Sequence, residues 1–184
     1  MKVLPSKFVA SGGKVAVQGF ATNEPYLYEH EVKAWNKPVA FQLIYDTGYP
    51  NYPTVLGIRP DQKDKLAPCL KKLVPMLQQA QVDFMTNPKA ALDLIDKVNE
   101  EYKGGWVYSR ANAEFAVAQM KKLGIVANGD DKTIGNFDMN RINKLLQIDK
   151  PIFEGQKKPL KPNLSAADIA TNEYINPAIS WQGS

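Results

Sequence analysis

The chain has 184 residues, 44% of them hydrophobic and 10% aromatic, which is enough to bury a core and excludes intrinsic disorder, collagen-like repeats and low-complexity structure. Its 23 Lys+Arg against 19 Asp+Glu give a formal charge of +4, spread along the sequence without the dense basic stripe of a nucleic-acid binder. A single cysteine, Cys69, excludes an internal disulfide and any multi-cysteine cluster, and a single histidine, His30, argues against a histidine-built metal centre.

Residues 1–14 carry scattered charges, Pro5 and the Gly12-Gly13 pair where a signal peptide needs an apolar run, so the chain as written is expected to stay in the cytoplasm. No segment approaches the apolar length of a membrane span. Three strands are expected next: residues 14–18 alternate, residues 38–45 are β-branched and aromatic, and residues 54–59 are short and apolar. Between the first two, residues 24–35 suit a helix, with Pro25 in its first turn and Leu27, Val32 and Trp35 on one face. The run Asp46-Thr-Gly-Tyr-Pro-Asn-Tyr-Pro53 holds two Tyr-Pro steps, which predict a rigid loop.

Beyond Pro60 the punctuation is that of helices. Residues 63–85 carry Leu66, Leu70, Leu73, Val74, Leu77 and Val82 near a helical period, with Pro68 and Pro75 expected to start or kink the element. Asn87 and Pro88 open a second helix with an inward stripe of Ala91, Leu92, Ile95, Val98 and Tyr102, and Gly104-Gly105 closes it. Ser109 caps a third, with Ala113, Ala116, Val117 and Met120 inward and Gly124 as its left-handed stop. Asp138 caps a fourth, expected to run through Ile142, Leu145 and Leu146 to about Asp149, with Pro151 beyond it. Ser165-Ala-Ala-Asp168 has the form of a capping box for a short fifth helix, after a connector at residues 157–162.

Few chemical motifs stand out. His30, between Glu29 and Glu31, reads as a surface side chain with no nucleophile beside it. Cys69 follows Pro68 in an apolar-periodic segment and is expected to be a buried thiol. The stretch 128–138 superficially resembles a calcium loop, but Lys132 takes a ligand-spaced position and no glutamate closes it, which leaves an Asn/Gly/Asp turn. More informative are Gln18-Gly-Phe-Ala-Thr-Asn-Glu-Pro-Tyr26 and Tyr45-Asp-Thr-Gly-Tyr-Pro-Asn-Tyr52. A strand leaving into Thr-Asn-Glu-Pro sets an amide and a carboxylate beside a helix N-terminus, and the tyrosines offer flat walls with polar tips. The alternative is that Asn23 or Thr22 only caps the helix and the tyrosines pack the loop.

These two runs, with Ala111-Asn-Ala-Glu-Phe-Ala-Val-Ala-Gln-Met-Lys-Lys-Leu-Gly-Ile-Val-Ala-Asn-Gly129 and Thr171-Asn-Glu-Tyr-Ile175, resemble the second half of ABC-transporter substrate-binding proteins of the thiamine-pyrimidine-synthase-like family. The resemblance runs from about Gly13 to about Ile179. It implies an α/β fold, the C-terminal half of a type II periplasmic binding protein, with few strands near the N-terminus and a helix-rich C-terminal region. The corresponding division is residues 1–37 as the end of the second lobe, 38–60 as the return crossing and 61–184 as the helical part of the first lobe with its wrapping helices. The implied function is that of a solute-binding component of an ABC import system, not an enzyme and without cofactor, holding a small molecule in an interlobe cleft and delivering it to permease membrane subunits outside the cytoplasm.

Carried over onto this sequence, the family's cleft-facing acid falls on Glu24, with Asn23 as an orienting amide and Tyr26, Tyr45 and Tyr49 as walls; Asp46 is a further candidate. An acid among tyrosines favours a nitrogen heterocycle, such as a thiamine-pyrimidine or riboflavin-like compound, over an oxyanion. Two other readings are a pyrimidine-precursor synthase of the same fold, whose cysteine cluster has no counterpart beyond Cys69, and a free-standing helical interaction module. With half of such a receptor missing, an exposed sheet edge and self-association are expected.

Overall fold

The computed structural model describes residues 6–102 and 108–183. In chain order its α-helices are α1 (Ser6–Ala10), α2 (Glu24–Tyr26), α3 (Lys63–Thr86), α4 (Lys89–Tyr102), α5 (Arg110–Lys122), α6 (Met139–Gly155) and α7 (Ala166–Ile169). A π-helical turn, Leu27–Glu31, continues α2, and 3-10 turns stand at Tyr45–Thr47 and Pro60–Gln62. The expected closing glycines of α4, Gly104 and Gly105, lie outside the described residues.

The α/β expectation is overturned. No paired strand occurs among the described residues, and the one bridge is the isolated antiparallel pair Asn128 and Ile134. The three segments read as strands are irregular, and Val17, Phe41, Ile44, Val55, Leu56 and Ile58 within them are exposed. Alternation and β-branching describe a chain that would suit a ladder, but a strand exists only where a second segment supplies donors and acceptors in register. With no such segment beside them, the type II periplasmic-binding-protein fold and its sheet edge are not what this chain forms.

Two compact units account for the structure, the first from residues 1–41 and 84–126, the second from 42–83 and 127–183. In the first, an aromatic cluster joins α1 to the α2 region: the Phe8 ring lies 4.8 Å from Tyr28 and 4.7 Å from Trp35. Gly13 passes so close to Trp35 that a Cβ there would stand 2.6 Å from the ring, and its φ of +81° lies in the left-handed region. Only glycine meets both demands without strain. Around α5 the core comprises Asn112, Ala113, Ala116 and Val117, with Leu92 of α4 also buried. Arg110 ties the two helices, reaching Asp93 at 2.8 Å and Asp96 at 3.0 Å on α4 and Glu114 at 2.9 Å on α5. The expected inward stripe of α4 is largely exposed at Ile95, Val98 and Tyr102, because Leu92 alone of the helix is packed fully.

The second unit is held by amide side chains that take the part of a missing strand. Gln78, 3% exposed on α3, donates from Nε2 to the carbonyls of Ile134 (2.7 Å) and Asn176 (3.2 Å) and accepts from Asn176 N at 2.9 Å. Asn128 pairs with both Trp181 O (2.8 Å) and Trp181 N (2.9 Å), and Asn172 does the same with Phe137 O and N, each at 2.8 Å. Each amide offers one donor side and one acceptor side, the same pattern as a peptide group in a ladder. The C-terminal segment is thereby fastened to α3 and to the 128–137 turn. On α3 the buried positions are Leu70, Gln78 and Met85, while Leu77 is exposed, so at residues 77 and 78 the polar residue and not its apolar neighbour faces the core. Cys69 is likewise exposed, against the expectation of a buried thiol, because Leu70 takes the inward position of that turn.

The caps read from the sequence form as expected. Ser109 accepts from Asn112 N, Asp138 accepts from Asn140 N, and Ser165 with Asp168 completes a capping box. Gly124 after α5 has φ +61°. The C-terminus of α6 differs, running to Gly155 with Pro151 inside it, as Pro68 and Pro75 lie inside α3. A proline removes one helical hydrogen bond, and packing of the rest of the helix can outweigh that loss. Residues 128–138 form a turn in which Asp131 accepts from Thr133 N (3.0 Å) and Asn136 Nδ2 (2.8 Å).

Candidate functional site

The residues singled out from the sequence fall into two sets. Asn23, Glu24 and Tyr26 belong to the first unit, and Tyr45, Asp46 and Tyr49 belong to the second.

In the first set, Asn23 stands at the N-cap position of α2 but makes no side-chain cap hydrogen bond. Its Oδ1 instead accepts from Asn112 Nδ2 of α5 at 2.6 Å, a contact between residues 89 apart. The capping alternative is thus set aside for this side chain. Pro25 fixes the first turn, and Glu24 folds back so that Oε2 accepts from Phe20 N at 2.5 Å. Gly19 permits this, since a Cβ there would lie 3.0 Å from Glu24 Cγ. Tyr26 packs its ring 4.5 Å from His30 and 5.4 Å from Phe115 of α5.

Two further tyrosines share this neighbourhood. Burial first, and then the charge of Glu24, pushes the hydroxyls of Tyr28 and Tyr108 above the usual phenol range. Glu24 has no cation as partner among the described residues, so its charge is offset only by hydrogen bonding. Asn112, the partner of Asn23 on α5, is 1% exposed and its Oδ1 has no hydrogen-bond partner among the described residues. A buried carbonyl left in that state costs about 1–3 kcal/mol. The unit therefore holds the half-buried Glu24 carboxylate within reach of tyrosine rings, a chemistry suited to N–H donors on a flat molecule.

In the second set, Tyr45 and Asp46 lie in an exposed 3-10 turn that Gly48 closes with φ +94°. Tyr49 donates its hydroxyl to Asp149 Oδ2 at 3.2 Å, and burial, with that bond and the Asp149 charge behind it, raises the phenol pKa. Arg141 of α6 governs the rest of the loop. Its guanidinium stacks 3.8 Å above Tyr52 and 4.9 Å from Tyr45, and it donates to Pro50 O at 2.7 Å and to Asn51 O. Tyr52 in turn accepts from Asp138 N at 2.9 Å and meets Phe137 edge-on at 5.1 Å.

Sequence reasoning missed Asn112, Tyr108, Arg141 and Tyr52. Asn112 lies in the third of the four quoted runs, so its position was marked but its pairing with Asn23 was not. His30 is exposed, 3.9 Å from Glu29, and no group of three or more His, Cys, Asp or Glu that could hold a metal occurs among the described residues. No helix among the described residues is long and apolar enough to cross a membrane. Set beside known protein families, curated proteins and solved structures, the chain matches none.

Proposed function

We propose that the chain acts as the solute-binding component of an ABC import system, capturing a small nitrogen heterocycle such as a thiamine-pyrimidine or riboflavin-like compound and passing it to a permease outside the cytoplasmic membrane. The observation that carries this reading is the Glu24 carboxylate, without a cationic partner among the described residues and set in a neighbourhood of Tyr26, Tyr28 and Tyr108. A carboxylate so placed accepts ring or exocyclic N–H groups, and the phenol rings stack on a heterocycle face. An oxyanion would be repelled by Glu24, and Arg110, two residues from Tyr108, is already paired with Asp93, Asp96 and Glu114.

The motifs that suggest the reading also come together in pairs. Asn23 with Asn112, and Tyr26 with Phe115, join the first and third runs in the first unit. In the second unit, Phe137 links Tyr52 of the second run to Asn172 of the fourth. The reading draws on these side chains and needs no parallel sheet. Calorimetric titration with the thiamine pyrimidine, riboflavin and an alkylsulfonate tests it. Micromolar or tighter binding of one heterocycle is expected, and tight sulfonate binding with no heterocycle binding would refute it.

A further inference from the structure

The turn at residues 128–138 holds the only Asn-Gly step in the sequence, Asn128-Gly129. At such a step the glycine nitrogen can attack the asparagine side-chain carbonyl carbon, because glycine has no side chain to hinder the approach and leaves the backbone free to turn. Here both reacting groups are engaged. The Gly129 N–H donates to Thr133 O at 2.8 Å, beside the bridge between Asn128 and Ile134. The Asn128 side chain is held by the C-terminal segment: Nδ2 donates to Trp181 O at 2.8 Å and to Ser180 Oγ at 3.1 Å, and Oδ1 accepts from Trp181 N at 2.9 Å. Ile134 N extends the contact by donating to Ile179 O at 3.2 Å. Gly129 is exposed and Asn128 only half-buried, so water reaches the step and hydrogen bonding is what restrains it.

We infer that Asn128 is a deamidation site gated by docking of residues 176–183, so that a chain which releases this segment is covalently marked and no longer redocks it fully. With the segment released, the Asn128 side chain is able to turn toward Gly129. Base takes the Gly129 N–H proton, and the nitrogen bonds to Asn128 Cγ. The Cγ–Nδ2 bond breaks as Nδ2 picks up a proton from water and leaves as ammonia. Water then opens the cyclic imide at either carbonyl, giving aspartate or isoaspartate at position 128 with no oxidant or cofactor. Either product spoils the clamp. An ionised carboxylate only accepts, so it still takes the Trp181 N–H but has no donor for Trp181 O, which it then faces with like polarity. Isoaspartate also adds a carbon to the backbone and shifts Gly129 N out of register with Thr133 O. Trp181, 6% exposed when docked, loses the Asn128 bond that seats its carbonyl.

The test incubates the full chain at mildly alkaline pH, folded and in urea, and follows conversion at Asn128 by peptide mass spectrometry, with isoaspartate separated by chromatography. The folded chain is expected to convert at least about tenfold more slowly, because only opened molecules react. Trp181→Pro, which removes the N–H that Asn128 Oδ1 accepts, should speed conversion several-fold in a chain that remains folded by circular dichroism. Asn128→Asp, the mimic of one product, should speed hydrogen exchange at the Ile134 N–H about tenfold. The comparison of folded with unfolded wild-type chain needs neither variant to fold. Equal conversion in the two states, unchanged conversion in folded Trp181→Pro, or unchanged Ile134 exchange in folded Asn128→Asp overturns the inference.

Discussion

Replacing Gln78 with methionine tests whether amide side chains hold the second unit together. Methionine keeps the length of the side chain and its fit beside Gly135, whose Cβ position lies 3.4 Å from Gln78 Cγ. What it removes is the set of three hydrogen bonds at 2.7, 3.2 and 2.9 Å that satisfy two carbonyls and one N–H. Left unsatisfied, each such group costs about 1–3 kcal/mol, partly offset because a thioether is cheaper to bury than an amide. The net loss should be about 2–4 kcal/mol, a large share of the 5–15 kcal/mol of an ordinary domain. Urea unfolding followed by circular dichroism gives the free energy, and hydrogen exchange at Asn176 N–H reports the local bond. A loss below about 1 kcal/mol with Asn176 still protected would show that something other than Gln78 fastens the C-terminal segment.

Two further expectations concern the first unit. Gly13→Ala forces a Cβ to 2.6 Å from the Trp35 ring at a φ of +81°, and should lower stability by about 1–3 kcal/mol, seen as a lower thermal midpoint; an unchanged midpoint would mean the aromatic cluster yields freely. Hydrogen bonds from Lys89 first and then Arg110 hold Asp93 below the usual carboxylate range. Its contribution is present above the unfolded carboxyl pKa of about 3.9 and is lost as pH falls through the lower folded value. Stability measured by urea unfolding should thus decline below about pH 4, and Asp93→Asn should flatten part of that decline; an identical pH profile in the variant would refute this.

The helix caps were open to reading because they are local: Ser109, Asp138 and Ser165 each meet an N–H two or three residues away. The first turn at Pro25 and the left-handed Gly124 follow from single-residue conformational limits in the same way. Strands are different in kind, since residues 14–18, 38–45 and 54–59 have the right side chains and lack a partner. Helix faces were legible where small apolar residues packed, as at Ala113 and Val117, and misleading on α3, where Gln78 is buried beside an exposed Leu77. Hydropathy assigns an amide to solvent unless its partners are known, and those of Gln78 lie 56 and 98 residues away. The same separation hid Asn112 from Asn23, and Arg141 from Pro50 and Asn51, at distances of 89 to 91 residues. At the candidate site the carboxylate and its flanking amide could be named from the sequence, but not the carbonyl of Asn112 or the phenol of Tyr108.

The claim that Glu24 is the principal acceptor for a nitrogen-bearing solute is tested most directly by calorimetric titration of the wild-type chain and its Glu24→Gln variant with the thiamine pyrimidine. Glutamine keeps the shape and an oxygen to accept from Phe20 N, and removes the charge. Losing one charge-assisted hydrogen bond, worth about 1.5–3 kcal/mol, should weaken binding by about 10- to 150-fold. Unchanged affinity in the variant would take Glu24 out of the site and contradict the account.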